Sequence, residues 1–458
     1  MHFFFIKNDL MLSKKFKYHF RNNLKLAYPV TLSQLGHMIT ALADTLMVGS
    51  LGAIPLAAVA FGHTMFSMFF IIGIGLATGL TPLVGKANGN RNKEECSNLL
   101  SNGIVLNFVF AIVLMIILYL AIYIMDDLGQ DPEVVTLSMD YYLVMIWSLL
   151  PFMLFLAFKQ FLEGLKLTKP GMLVTIVANL INVILNYILI FGKLGFPAYG
   201  VAGAAWATFI ARTLMLVLIV VLMLKTEKLK SYLKELNFIK VKWNKIKEIT
   251  KMGLPIGFQF ALEVSAFSIG SIIVGTISAE ALAAHQIALN LAATTFMMAG
   301  GIGSAATISL SNFLGMGLKR EIRMSGFVSI YMVLIFMSIA AIIFIVFNEL
   351  LPSFYISNPD VLAIASGLMI VAGFFQLSDG LQVVILGVLR GIHDVKIPTI
   401  VTSISYWVLT IPLGYIFVNY MDTGALGVWY AYLIGLTFTA LVLTYRFHLL
   451  SKRIILEK

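Results

Sequence analysis

Acidic side chains stand deep inside three long apolar stretches of the sequence, where charged residues are rare. They are Asp44, Glu263 and Asp379. A charge at the centre of a bilayer costs about 2.5–3.5 kcal/mol on insertion scales, so the presence of each of these residues requires an explanation. Buried carboxylates attract cations, and they can also bind and release a proton. The three residues therefore indicate a site that handles small cations.

Polar residues with helical spacing accompany the first of these acids. They form two series with intervals of 4, 3 and 4 residues, which places each series on one face of a helix. The first is Ser33, His37, Thr40 and Asp44, the second is Thr175, Asn179, Asn182 and Asn186, and Thr208 lies in the next apolar stretch. Their oxygens suit a hard monovalent cation, but asparagines also join helices through hydrogen bonds. Both interpretations remain open for the asparagines, whereas a function is favoured for Asp44 because packing does not need its charge.

Glu263 and Asp379 have glutamine neighbours instead. Gln259 lies one helical turn before Glu263, and Gln376 and Gln382 lie three residues on either side of Asp379. The apolar stretches around both acids contain no base, which argues against a purely structural ion pair. The expected neutralising ion is Na⁺ held by these oxygens or H⁺ taken up by the carboxylates.

Lysine and arginine occur inside the predicted apolar stretches of the first half only. Arg212 lies less deep than the three acids. Lys159 and Glu163 lie near the cytoplasmic end of a stretch, where snorkelling toward the membrane surface explains them and where a spacing of four residues allows them to pair.

Other kinds of chemistry find no support in the sequence. The seven histidines show no His-x-x-x-His or Glu-x-x-His spacing, and Cys96 is the one cysteine, so neither a zinc site nor an internal disulfide is expected. No pairing of a nucleophile with a base indicates an enzyme. The formal net charge of +10 is not arranged as a basic patch with interleaved aromatics, which argues against nucleic-acid binding. We therefore expect no cofactor and no metal other than a monovalent cation.

The composition places these residues in a membrane protein. The chain of 458 residues is 60% hydrophobic and 12% charged, and its mean hydropathy is +0.94. This charged fraction is about half that of an ordinary soluble domain. Twelve apolar runs are long enough to cross a bilayer, and runs of this length and pattern are helical. They lie near 26–48, 55–85, 98–125, 137–162, 170–192, 199–224, 252–276, 281–310, 325–348, 361–388, 398–420 and 424–445.

The basic residues predict the orientation of these helices. Lysines and arginines are concentrated before the first run, in the even-numbered connections and after the last run, whereas the odd-numbered connections hold mainly acids. By the positive-inside rule both termini are cytoplasmic. This alternation supports an even number of helices independently of hydropathy.

The two halves of the sequence are related by an internal repeat. A shift of 226 positions aligns Pro29 with Pro255 and Gly75 with Gly301, without a gap over some 65 residues. Each half holds six helices, so the halves are parallel repeats. The expected fold is an all-α integral membrane protein with two six-helix lobes around a central cleft. The predicted domains are a cytoplasmic segment at 1–25, an N-lobe at 26–224, a Lys-rich cytoplasmic linker at 225–251, a C-lobe at 252–445 and a cytoplasmic tail at 446–458.

Several motifs in the sequence resemble those of the multidrug and toxic compound extrusion (MATE) family. These motifs are Asp44-Thr45-x-x-x-Gly49, Thr81-Pro82-Leu83-Val84-Gly85, Asn182-x-x-x-Asn186, Gly203-Ala204-Ala205-x-Ala207-Thr208, Gln376-x-x-Asp379-x-x-Gln382 and Leu389-Arg390-Gly391-x-x-Asp394. Together with Glu263 they are most similar to the NorM-type branch. The resemblance covers nearly the whole chain, and the combination is specific although no single motif is.

This resemblance implies export of cationic amphipathic drugs in exchange for Na⁺ or H⁺. It assigns cation-binding residues to two sites, with Glu263 and Asp379 in the C-lobe and Asp44, Asn182, Asn186 and Thr208 in the N-lobe. Gln259, Gln376, Gln382, His37, Thr40 and Asn179 are candidates for a supporting role or for the lining of the cleft. Phe375 stands where many NorM-type members have Tyr, which removes one possible ligand, and Asn186 stands where some relatives have Asp.

The sequence thus predicts a sodium-coupled or proton-coupled antiporter, with sodium the expected ion. We expect a monomer in a bacterial cytoplasmic membrane, with small organic cations as substrates and lipids around it. The main alternative is a flippase for lipid-linked saccharides from the same wider superfamily. Its anionic substrates would require basic residues in the cleft, whereas the deep charges here are mainly acidic.

Overall fold

The computed structural model describes the backbone of residues 2–236 and 241–456, and the side chains from residue 14 onward within those ranges. Parts of three predicted cytoplasmic segments lie outside the described residues. They are Met1 and the side chains of 2–13, residues 237–240 of the linker, and residues 457–458 of the tail.

Twelve long helical elements follow one another along the described chain, and they match the twelve predicted runs in order. They are α1 (His2–Gly49), α2 (Ala53–Gly89), α3 (Lys93–Leu120), α4 (Pro132–Gly164), α5 (Thr168–Phe191), α6 (Gly200–Lys225), α7 (Trp243–Gly275), α8 (Ala279–Gly315), α9 (Lys319–Val346), α10 (Pro359–Gly391), α11 (Lys396–Tyr420) and α12 (Ala425–Leu456). Two short helices, Glu227–Lys234 and Leu350–Ser353, lie in the connections. The described residues contain no strand, so the all-α prediction is confirmed.

Eleven of these elements are long and apolar enough to cross a membrane, counted over the described residues. The exception is α1, which is 48 residues long but carries the polar series that ends at Asp44 in its second half. Those polar residues lower its hydropathy below that of the other elements. The chain is therefore a multi-pass membrane protein whose least apolar long helix holds one of its candidate sites.

Capping residues set where several helices begin. Asn92 and Ser278 each accept a backbone N–H from the first turn of α3 and α8, at 2.9 and 3.0 Å. Asp131 and Asn358 cap α4 and α10, each of which has proline at its first position. Such caps satisfy backbone donors that a helix cannot satisfy itself, so the helices can start close to the end of the preceding element.

The turns of the two halves repeat the same backbone conformation. Arg91 between α2 and α3 has φ 56°, and Gly317, 226 residues later between α8 and α9, has φ 69°. Lys166 after α4 and His393 after α10 both have φ 65°. The internal repeat is therefore visible in the turns as well as in the sequence.

The chain divides into two compact units. One, the N-unit, comprises Leu32–Ala261, and the other, the C-unit, comprises Met1–Thr31 and Leu262–Lys458. The units begin inside helices α1 and α7, whereas the predicted lobes begin at 26 and 252. The first part of α1 thus packs in the C-unit, where the Asn23 amide donates to the Ser329 hydroxyl of α9 at 2.9 Å.

Glycines let the first part of α7 pack directly against α2 in the N-unit. A Cβ atom on Gly75 would lie 2.2 Å from the Cα of Gly257, and one on Gly79 would lie 2.5 Å from the Cα of Gly253. Side chains at these positions cannot fit without separating the two helices. This contact fixes the part of α7 that immediately precedes Glu263.

The described part of the linker belongs to the N-unit and is held against α3 by polar contacts. Lys93 donates to Glu235 at 2.8 Å, and Ser97 donates to the other carboxylate oxygen at 2.7 Å. These hydrogen bonds hold the pKa of Glu235 below its ordinary value. The contacts tie the linker to the start of α3.

Candidate functional site

Asp44 lies in a cluster of amide side chains in the N-unit, which we call the Asp44 cluster (Asp44, Asn182, Asn186 and Thr208). The amide of Asn186, which is buried on α5, donates to Oδ1 of Asp44. In the amide orientation that satisfies its partners, Asn182 also donates to this oxygen at 3.1 Å, and its own oxygen accepts the backbone N–H of Thr208 at 3.3 Å. The intervals of four residues therefore bring these predicted residues together, although the Thr208 hydroxyl donates to its own helix.

The other polar residues of these helices lie outside the Asp44 cluster. Thr40 donates to the Gly36 carbonyl of its own helix at 2.9 Å. His37 packs edge-on against the ring of Phe152, with centroids 6.3 Å apart. Asn179 is buried beside Gly36, and its amide nitrogen has no hydrogen-bond partner among the described residues. Among the described residues, none of these three side chains forms a hydrogen bond with Asp44.

Basic residues in the N-unit are more enclosed than their sequence positions suggested. Lys159 and Glu163 are both buried on α4, so the snorkelling interpretation is wrong for them. Their predicted pairing is confirmed at 3.9 Å, and Lys159 also donates to Ser33 at 3.3 Å. Arg212 interacts electrostatically with Asp44 without forming an ion pair among the described residues.

The C-unit contains a second cluster, the Glu263 cluster (Glu263, Asp379, Gln382, Arg390 and Tyr406). Glu263 on α7 is buried, and one of its oxygens accepts a hydrogen bond from the Tyr406 hydroxyl at 3.0 Å. The Gln382 amide donates to the same hydroxyl at 2.7 Å and lies 3.5 Å from the Glu263 carboxylate. Tyr406 is thus the direct partner of Glu263, with Gln382 behind it.

Asp379 is 2% exposed and interacts electrostatically with Glu263. Among the described residues, no group donates a hydrogen bond to its carboxylate. Gln376, one turn earlier on α10, is also buried but accepts a hydrogen bond from Thr295 at 2.8 Å instead. Gln259 is buried one turn before Glu263, and the division between the two units falls between these residues.

Arg390 corrects the expectation that no base lies near the acids of the second half. The predicted helix ended at 388, but α10 continues to Gly391, so Arg390 belongs to its last turn. Its charge interacts with Glu263. With both carboxylates ionised, two acids and one base leave the Glu263 cluster with one uncompensated negative charge.

Tyr406 is the functional candidate that the sequence interpretation missed. It lies in a π-helical segment of α11, Ile404–Thr410, where the wider turn shifts the following side chains around the helix axis. Ser403, Ser405 and Tyr406 form a polar run within an apolar stretch. This run is the sequence signal that could have identified Tyr406, because tyrosine is common at membrane interfaces but is costly inside a span without a hydrogen-bond partner.

Comparison with known proteins places this arrangement in a family. The family model MatE matches residues 29–188 and 255–416. The chain belongs to the MatE family. The two matches begin 226 residues apart, which is the shift of the internal repeat. Membership confirms the predicted two-lobed transporter fold and the prediction that the chain is not an enzyme.

Relatives from bacteria match nearly the full length of the chain. The multidrug resistance protein MdtK of Yersinia pestis (strain Pestoides F) is 31% identical over 438 residues, covering 94% of this chain and 96% of MdtK. The probable multidrug resistance protein NorM of Rhizobium meliloti (strain 1021) is 33% identical over 441 residues, covering 95% of this chain and 94% of NorM. Among solved structures, the eukaryotic MATE transporter AtDTX14 has a TM-score of 0.86 at 20% identity, with 97% of each chain covered.

Proposed function

We propose that this chain is a cation-coupled antiporter that exports amphipathic organic cations across a bacterial cytoplasmic membrane. Its bacterial relatives, which carry the names of multidrug resistance proteins, support the export of drugs. The excess of basic residues in the even-numbered connections supports cytoplasmic termini. Each chain contains both clusters, which is consistent with a functional monomer surrounded by lipid.

The burial of Asp379 near a second acid, Glu263, is the observation that carries this proposal. Asp379 is buried without a hydrogen-bond donor among the described residues, and the charge of Glu263 opposes its own. A buried carboxylate in this setting needs a cation or a proton. With both carboxylates ionised, Arg390 balances only one of them, so a single monovalent cation restores neutrality.

Coupling requires the cation and the drug to favour different conformations, since a ligand that binds two states equally shifts neither. Inward movement of one charge down a membrane potential of 100 mV releases about 2.3 kcal/mol. Raising a drug gradient tenfold costs about 1.4 kcal/mol. One inward ion per cycle can therefore sustain a substantial drug gradient.

The charges of the two units favour cationic over anionic substrates. The acids of the two clusters and the buried ion pair are Asp44, Glu163, Glu263 and Asp379, and the bases are Lys159, Arg212 and Arg390. The bases are thus outnumbered, so a lipid-linked pyrophosphate would find no net attraction. This distribution supports a drug exporter over a saccharide-lipid flippase.

Transport by the purified full-length chain in proteoliposomes tests the proposal. Ethidium efflux should be driven by an inward sodium gradient imposed at equal pH, and Glu263→Gln and Asp379→Asn should each abolish it. Glu349→Gln, at an exposed acid between α9 and α10, is the matched control and should transport normally. Efflux driven only by a pH gradient would identify protons as the coupling ion instead of sodium. The absence of efflux with either gradient would contradict the antiporter proposal.

A further inference from the structure

Arg212 on α6 lies against three phenylalanine rings in the N-unit. Its guanidinium carbon is 5.3 Å from the ring centroid of Phe66, 5.0 Å from that of Phe70 and 4.9 Å from that of Phe152. All three distances fall within the range in which a cation is attracted to an aromatic face. The guanidinium also donates one hydrogen bond, to the Ser148 hydroxyl at 2.7 Å.

The rings form a continuous aromatic wall from α2 and α4. The centroids of Phe66 and Phe70 are 4.9 Å apart, and those of Phe70 and Phe152 are 5.3 Å apart. Phe66 and Phe152 are buried, whereas Phe70 and Arg212 keep part of their surface accessible. We call Phe66, Phe70 and Phe152 the phenylalanine cage.

The contacts that hold Arg212 are ones that another cation can replace. Arginine stays charged in proteins, yet no carboxylate among the described residues forms an ion pair with Arg212. Its charge acts on Asp44 only over a longer distance. The three ring faces would serve equally well for a ligand whose charge is delocalised or shielded by apolar groups, and such a ligand needs no hydrogen bond from Ser148.

From this geometry we infer that the phenylalanine cage is a subsite for the cationic group of the exported compound, and that Arg212 is a tethered cation that occupies it when no substrate is bound. The inference rests on the proposed function. The ligand class is a quaternary ammonium or arylphosphonium ion. Sodium does not fit the cage because a hard cation requires oxygen ligands. The organic cation and the coupling ion therefore bind in different places, the first against the cage and the second in the Glu263 cluster.

Substrate binding displaces Arg212 from the cage, and the substrate takes over the interaction with Asp44. The guanidinium and the cationic group of the substrate carry the same charge, so the cage holds one of them at a time. Arg212 thereby lowers the affinity for weakly bound cations and selects those with enough aromatic or apolar surface to compete with it.

Equilibrium binding of tetraphenylphosphonium to the purified full-length chain, in sodium-free buffer at fixed pH, tests this inference. Arg212→Gln removes the tethered competitor and should tighten binding about tenfold, as expected for opening a desolvated cation–π site. Arg212→Lys keeps the charge and should stay near the wild type. Unchanged or weaker binding by a correctly folded Arg212→Gln variant would overturn the inference.

Further variants test whether the rings themselves bind the ligand or whether Arg212→Gln tightens binding only by removing a positive charge. Phe152→Leu in the Arg212→Gln background should reverse the gain, whereas a gain that persists would show that the rings do not receive the ligand. If Arg212→Gln does not fold, Phe70→Leu in the wild-type chain should weaken binding several-fold. Phe108→Leu, at an exposed phenylalanine of α3, is its control and should leave binding unchanged. Equal binding by Phe70→Leu and the control would count against the cage.

Export of the same probe by the wild-type chain distinguishes this inference from the proposed function. A wild type that exports the probe, together with an Arg212→Gln variant that binds no tighter, refutes only the cage. A wild type that exports nothing refutes the antiporter, and the binding series still decides whether the cage receives a cation.

Discussion

Asp44 and Asp379 are both carboxylates within apolar helices, but their surroundings differ. Asp44 accepts amide N–H groups from Asn182 and Asn186, and it feels the positive charge of Arg212. Asp379 has no donor among the described residues and lies near a second acid. Amide donors stabilise an ionised carboxylate, whereas the second arrangement requires an added cation or proton. We therefore propose different tasks for the two acids, substrate attraction at Asp44 and ion coupling at Asp379.

Asp44→Asn should insert and fold normally but lose drug export. The asparagine keeps the size of the side chain but removes the charge that attracts a cation. Drug efflux in cells, together with the amount of the protein in the membrane, measures both effects. Asp140→Asn, at an exposed position of α4, should transport like the wild type. Full efflux by Asp44→Asn would mean that Asp44 serves only in packing.

Tyr406→Phe should weaken sodium binding about tenfold, because it removes the hydroxyl that positions Glu263. A hydrogen bond to a charged group contributes about 1.5–3 kcal/mol. The readout is the sodium concentration that displaces half of the bound drug. Tyr415→Phe, at an exposed tyrosine of the same helix, is the control. An unchanged midpoint would show that Tyr406 does not take part in ion binding.

The sequence predicted the Asp44 cluster better than the Glu263 cluster, for a physical reason. Asn182 and Asn186 lie one turn apart on one helix, so a single correctly predicted contact between two helices brings both of them to Asp44. Tyr406 and Arg390 join Glu263 from two other helices, and neither position follows from spacing. Arg390 also depends on where α10 ends, which hydropathy locates only within a few residues.

At the scale of the elements, hydropathy identified all twelve helices but not their internal breaks. Periodicity detects an apolar face, and a π-helical segment such as Ile404–Thr410 in α11 retains that apolar character while it rotates the side chains. Pairing between helices is likewise invisible to hydropathy. The glycine contacts between α2 and α7 are an example, since a single sequence shows the glycines but not their partners.

Gly257→Ala should destabilise the protein by about 1–3 kcal/mol, the usual cost of an added methyl group in a tightly packed interior. A Cβ atom there would lie 2.5 Å from the carbonyl oxygen of Ile72. Thermal unfolding in detergent, followed by size-exclusion chromatography, measures the loss. Gly367→Ala within α10 meets nothing within 4 Å and should be neutral or slightly stabilising, since alanine favours a helix. Equal melting temperatures for the two variants would show that the α2–α7 contact tolerates a side chain.

At the scale of the whole molecule, the repeat preserves the backbone and varies the chemistry. The turns at Arg91 and Gly317 correspond after a shift of 226 residues, and the family model matches both halves with the same offset. By this shift His37 aligns with Glu263, and Phe152 falls beside the position of Asp379. Corresponding positions of the two halves thus carry different side chains. Duplication of one scaffold is therefore compatible with the different cations that we propose for the two units.

The proposed orientation predicts that the linker and the α3–α4 connection face opposite sides of the membrane. Single cysteines at Lys234 and Glu133, both exposed, should react with an impermeant thiol reagent from the cytoplasmic and the outer side respectively. Replacement of Cys96 by serine removes the one native thiol and provides the background for both variants. Labelling of both cysteines from the same side would contradict the twelve-helix topology.

The identity of the coupling ion affects the whole transport cycle, and a binding titration without a membrane potential can determine it. If sodium is the ion, it should displace bound ethidium at fixed ionic strength, with a midpoint that changes little between pH 7 and pH 8, and potassium should have no effect. Asp379→Asn should raise the midpoint tenfold or more, roughly the loss of one charged ligand in a buried site. Asp422→Asn, at an exposed acid before α12, should not change it.

Proton coupling predicts the opposite pattern in the same titration. Ethidium would then be released as the pH falls, because protonation neutralises Glu263 or Asp379, and sodium would have no effect at either pH. Such a result would exclude sodium as the coupling ion but would agree with the antiporter proposal, since one proton neutralises the excess charge of the Glu263 cluster equally well. Release that responds to neither ion would separate the Glu263 cluster from drug binding, and the coupling site would then have to lie elsewhere in the chain.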